Sequence, residues 1–129
     1  MMIQLDFHSD IPIYVQLRNE IIRLIASGQL AYGDPLPTVR ALAADLHVNT
    51  MTVSKTYALL KQEGFITTDR RHGTRVLPAE SVGLENVESS LSLLASEAVI
   101  KGMDKQAFLS LCEKLLDNIH YEKKPLESN

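Results

Sequence analysis

Between Ile11 and Ser27 the apolar residues Tyr14, Leu17, Ile21, Leu24 and Ile25 step by three and four, which predicts an amphipathic helix. Pro12 falls in its first turn, where a missing N–H costs nothing, and Gly28 follows as a C-cap. Ala31 to Pro37 carries one Gly and two Pro, so it is expected to be an ordered loop. Thr38 then offers a hydroxyl N-cap to a short helix with Val39, Leu42, Ala43 and Leu46 on its inner stripe. His47 and Val48 break that helix. Asn49 caps another, in which Val53, Tyr57 and Leu60 face inward while Thr50, Thr52, Lys55 and Gln62 face out. Two short helices joined by a three- or four-residue turn form a helix-turn-helix.

After Gly64 the period falls from about 3.6 to 2. Phe65 to Thr68 and Thr74 to Leu77 read as strands joined through Asp69 to Gly73, a hairpin that suits a wing. Pro78 to Ser81 marks a linker, with Ser81 as the next N-cap. Leu84, Val87, Leu91, Leu94 and Ala98 then repeat at alternating spacings of three and four, the rhythm of a packed helical seam. Gly102 stops this helix and Asp104 caps a last one, striped by Phe108, Leu111, Cys112, Leu115 and Ile119. The charged tail from Glu122 to Asn129 is expected to fray. A unit this short cannot bury both stripes alone, so a second copy of the chain is the economical cover.

The 129 residues allow one domain of ordinary size or a small domain with an appendage, and 45% hydrophobic content is enough for a folded core. A formal charge of −3 argues against a polyanion partner until it is divided along the chain. Residues 1–78 carry net +1 and residues 79–129 net −4, and the stretch from Thr38 to Val76 holds six basic side chains against three acidic. A polyanion therefore meets the first part, while the acidic second part serves pairing. Cys112 stands alone, which excludes an internal disulfide; it is read as a buried bystander in a reducing cytoplasm. The four histidines share no ligand spacing, and no phosphate loop, nucleophile elbow or triad is visible. No metal, cofactor, membrane partner or enzymatic activity is expected.

The order of landmarks carries a resemblance. Pro12-Ile-Tyr-Val-Gln-Leu, Ile25-Ala-Ser-Gly-Gln-Leu, Gly33-Asp-Pro-Leu-Pro-Thr-Val-Arg40, Thr52-Val-Ser, Glu63-Gly-Phe-Ile and His72-Gly-Thr together resemble the DNA-binding domain of GntR-type bacterial transcription regulators, over residues 11 to 77. The short remainder is similar to the YtrA-like subgroup. The resemblance implies a homodimeric repressor on an inverted-repeat operator, commonly beside transporter genes. It also implies that Arg40, in a Leu-Pro-x-x-Arg pattern, grips phosphate or DNA near the groove. Relatives often carry Arg at the positions of Thr50 and Ser54, so base readout here rests on shorter side chains with Lys55.

The expected fold is thus α+β and mainly α. A winged helix-turn-helix over residues 1–78 precedes a two-helix dimerisation hairpin over 79–129. The expected DNA-binding residues are Thr38, Arg40, Asn49, Thr50, Met51, Thr52, Ser54 and Lys55, with Arg70, Arg71, His72, Gly73 and Thr74 on the wing. Dimerisation is assigned to Leu84, Val87, Leu91, Leu94, Ala98, Phe108, Leu111, Leu115 and Ile119. Beyond duplex DNA and a second copy, the partners include an effector of unnamed chemistry. The alternative function is a winged-helix adaptor that docks proteins and prefers no DNA sequence.

Overall fold

A computed structural model of the chain describes residues 2–77 and 84–120, which fall into two compact units. The linker and Ser81 cap expected from sequence, and the expected frayed tail, lie outside the described residues.

The first unit contains α1 (Ile13–Ala26), α2 (Val39–Leu46), α3 (Thr50–Gln62), β1 (Ile66–Asp69) and β2 (Gly73–Val76). Each helix begins where the sequence supplies a reason. Pro12 takes the N-cap position of α1 at φ −54° and ψ 142°, just outside the first turn in which it was expected, so the helix starts at Ile13. The Thr38 hydroxyl accepts from the Ala41 amide at 3.1 Å, and Asn49 Oδ1 accepts from the Met51 amide at 2.8 Å. Between these caps His47 closes α2 in the left-handed region at φ 56°, unusual for a non-glycine residue. That residue turns the chain within the three positions separating α2 from α3.

Leu17, Ile21, Leu24 and Ile25 of α1 meet Leu42 and Ala43 of α2 and Val53, Tyr57 and Leu60 of α3 in one buried core. Ile66 and Val76 close it from the hairpin, where they are paired partners in the antiparallel register. Both strands lie one residue from their expected positions. Phe65 is not part of β1 because its amide bonds to the Leu60 carbonyl at 2.9 Å, closing the end of α3 over Gly64 at φ 85°. The loop before α2 runs along β2: Gly33 donates to the Val76 carbonyl at 2.9 Å, Val76 to the Asp34 carbonyl at 3.0 Å and Leu36 to the Thr74 carbonyl at 2.8 Å. The two-stranded sheet thereby gains a loop on its second edge, which covers otherwise open ladder groups.

Two side-chain ties fix α1. The fully buried Thr56 hydroxyl lies 3.0 Å from the Tyr14 and Thr52 carbonyls, so its single proton is shared between α1 and α3. Arg18 grips Glu63 through two bonds of 2.9 and 2.8 Å while its guanidinium covers the Phe65 ring.

The second unit contains α4 (Leu84–Ile100) and α5 (Lys105–Asp117), which touch each other. Gly102 turns the chain at φ 101°, and Asp104 Oδ1 caps α5 by accepting from the Ala107 amide at 2.8 Å. Neither helix buries any residue. Leu84, Val87, Leu91, Leu94, Leu111, Leu115 and Ile119 are exposed, and Ala98 and Phe108 are half-buried. Cys112 was expected to be buried and is only half-buried, because a two-helix unit leaves its own stripe uncovered. Among the described residues no helix is long and apolar enough to cross a membrane, and no cluster of potential ligands suits a metal ion.

Candidate nucleic-acid interface

The face of α3 away from the core is held by residues on the core side. Val53, Thr56, Tyr57 and Leu60 are buried, which leaves Thr50, Met51, Ser54 and Lys55 exposed and Thr52 half-exposed. Asn49 is exposed too, but its carbonyl oxygen is committed to the helix cap. The Met51, Thr52 and Val53 amides are taken by Asn49, and the helix dipole gives this N-terminus a polarity that favours phosphate. Lys55 does not wave freely. Its Nζ sits 4.1 Å from the centre of the Tyr14 ring, and both line an open groove with Ile13, Met51 and Thr52. Tyr14 was expected to face inward; it is half-exposed, because its ring underlies that ammonium.

Helix α2 is pinned at its start. The Tyr57 hydroxyl donates to the Pro37 carbonyl at 2.7 Å, immediately before the Thr38 cap, and burial pushes the Tyr57 phenol well above its ordinary pKa. Arg40 follows in the first turn, its side chain exposed and without an ion pair to any other described residue. No ion pair among the described residues joins Arg40 to Lys55 or to the hairpin tip; they share one unit through its core.

The hairpin tip is organised by Asp69, a residue to which the sequence pattern assigns no role. Its Oδ1 accepts from the Arg71 amide at 2.8 Å and the His72 amide at 2.6 Å, with His72 Nδ1 at 3.2 Å. Its other oxygen lies 3.4 Å from Arg75 Nη2. The His72 backbone bond is the main reason its carboxyl titrates below the usual range. Arg70 and Arg71 are consequently presented at a fixed, exposed turn. Gly73 adopts φ 66°, as the turn back into β2 requires, and the Thr74 hydroxyl bonds that of Thr68 across the strands at 2.9 Å. A signal for Asp69 does exist in the sequence: an Asp at the end of a strand and before a glycine-containing turn accepts from the amide two residues on.

Comparison with known proteins places this arrangement. The family model described as bacterial regulatory proteins, gntR family, matches residues 13–76. The HTH-type transcriptional repressor YtrA of Bacillus subtilis is 38% identical over 96 residues, covering 74% of this chain and 72% of its own. The solved structure of YtrA from Sulfolobus acidocaldarius, a GntR-family transcription factor, is 38% identical with a TM-score of 0.62, covering 73% of this chain and 99% of that one. A transcriptional antiterminator from Listeria monocytogenes has a TM-score of 0.82 over 99% of this chain and 98% of its own; at 23% identity it bears on the fold alone.

Proposed function

Because this chain belongs to the gntR family of bacterial regulatory proteins, and so is a transcriptional regulator with a DNA-binding helix-turn-helix and not an enzyme, we propose that it represses transcription as a homodimer on an inverted-repeat operator. The observation that carries the proposal is the capped α3, whose exposed face of hydroxyls, Met51 and Lys55 stands in the same unit as a hairpin tip bearing Arg70 and Arg71. In the bound state α3 enters the major groove. Thr50, Met51, Thr52, Ser54 and Lys55 meet base edges or the adjoining backbone, while the Thr38 and Asn49 caps set the two helix starts. Arg40, Arg70 and Arg71 attract phosphate, and His72, Gly73 and Thr74 shape the wing.

The exposed apolar residues of α4 and α5 support pairing of two copies through Leu84, Val87, Leu91, Leu94, Ala98, Phe108, Leu111, Leu115 and Ile119. Pairing sets two α3 helices in successive major grooves, about 34 Å apart. A monomer, with half the reading surface, binds poorly. The repressor sense is supported by the name of the Bacillus subtilis relative, and the similarity to the YtrA-like subgroup extends the proposal to a transporter operon. An effector acts by binding DNA-competent and incompetent dimers with different affinity.

Salt titration of binding to a duplex from the chain's own upstream region tests the electrostatic part. Every phosphate that is no longer neutralised flattens the slope by about 0.9 log unit per log unit of salt. Arg71→Ala should flatten it by up to one phosphate per protomer and weaken all sequences alike. An unchanged slope would remove Arg71 from the interface.

A further inference from the structure

The outermost side chain at the start of α3 is apolar. At about 100° per residue, Met51 and Lys55 each stand roughly 160° from Val53, at the side opposite the core. Met51 is 76% exposed, belongs to no buried cluster, and edges the open groove walled by Ile13, Tyr14, Thr52 and Lys55. Its exposed neighbours on the first two turns are hydroxyls and one ammonium. None has the planar fork of Arg, Asn or Gln that reads a purine edge, since Asn49 spends its oxygen on the cap. The only apolar feature that a base pair shows in the major groove is the C5-methyl group of thymine. A long, unbranched, polarizable thioether adapts to such a methyl group, and the walls beside it are largely apolar.

From this juxtaposition we propose that Met51 reads thymine, packing its side chain against a thymine methyl group in each half-site. Lys55, one turn further along the same face, supplies the adjoining polar contact. The inference rests on the DNA-binding reading and deepens it. Specificity at this step comes from burying a methyl group instead of from paired hydrogen bonds.

Deoxyuridine provides the test, since it deletes the methyl group and keeps every hydrogen-bonding atom. Each thymine in the tightest duplex recovered from a random pool is replaced singly by deoxyuridine, and binding of the full chain is measured. At one thymine per half-site the wild type should lose about fourfold in affinity, the equivalent of roughly 0.8 kcal/mol for one buried methyl group. Met51→Ala should be indifferent to that replacement, and Met51→Leu should remain sensitive. The exposure of Met51 means both variants should keep the wild-type circular dichroism. Tolerance of deoxyuridine at every position would overturn the inference alone, as would a sensitivity that persists undiminished in Met51→Ala. A chain that prefers no duplex at all would refute the DNA-binding reading, and the inference with it.

Discussion

Replacing Tyr57 by Phe removes one oxygen from a side chain that is 4% exposed and leaves its ring in the core. The bond it deletes, 2.7 Å to the Pro37 carbonyl, joins the middle of α3 to the residue before the α2 cap. A neutral hydrogen bond contributes about 0.5–1.5 kcal/mol net, and stranding a half-buried carbonyl adds to that, so the expected cost at neutral pH is about 1–2 kcal/mol. For a unit of this size that lowers the melting temperature by about 5–15 °C. The pH dependence is distinctive. Burial raises the folded-state pKa of Tyr57, so its stabilising contribution is complete below the ordinary phenol value near 10. Above it the unfolded chain ionises and the folded chain does not. Wild-type stability then falls by about 1.4 kcal/mol per pH unit from this residue, a loss that Phe does not share. Urea unfolding of both proteins from pH 7 to 11 should show the deficit of Tyr57→Phe narrowing above about pH 10 and nearly closing by about pH 11. Equal stability at pH 7, with parallel curves to pH 11, would refute the reasoning.

Asp69→Ala should weaken DNA binding although it deletes a negative charge, because the Arg71 and His72 amides lose their acceptor. Charge alone predicts the opposite sign, and Asp69→Asn, which keeps the oxygen, should bind at least as well as wild type. The same carboxyl titrates below the usual range, so the tip stays ordered above the unfolded-state value near 4 and loosens as pH falls through the lower folded-state value; the Arg71 and His72 amide shifts monitor this. Tyr14→Leu removes the ring under Lys55 and should weaken DNA binding about two- to fivefold, with no further loss when combined with Lys55→Ala in a double-mutant cycle. Leu94→Glu places a charge on an apolar stripe that is exposed in the single chain and should shift sedimentation from dimer to monomer, leaving the melting of the first unit unchanged.

Local chemistry made much of the fold legible. The Thr38, Asn49 and Asp104 caps were readable because a hydroxyl, amide or carboxylate before an apolar stripe has one economical use, and each accepts the expected amide. Boundaries drifted where backbone bonding outranked periodicity: Phe65 looks like a strand residue, yet its amide completes the end of α3. The loop meets β2 through backbone bonds, which leave no trace in side-chain pattern. Tyr14 satisfies the spacing of a core residue, and only the three-dimensional placement of Lys55 gives its ring another use. The α4 stripe was legible, but Leu93, Val99 and Ile100 are exposed beyond it. A seam pattern names the residues that repeat, not every apolar residue that needs covering. For the interface, residue type pointed to Arg70 and Arg71, while Asp69 carries only the general signal of a turn-former, and the geometry names the amides it holds.

On the proposed function, two copies of this chain read duplex DNA together. Selection from a random duplex pool, with the mass of the bound species determined at the same concentration, decides whether they do. An inverted repeat should be enriched, its half-site centres about one helical turn apart or a whole multiple of it, and bound by two chains. Recovery of no preferred sequence, or of a single half-site held by one chain, would contradict that function.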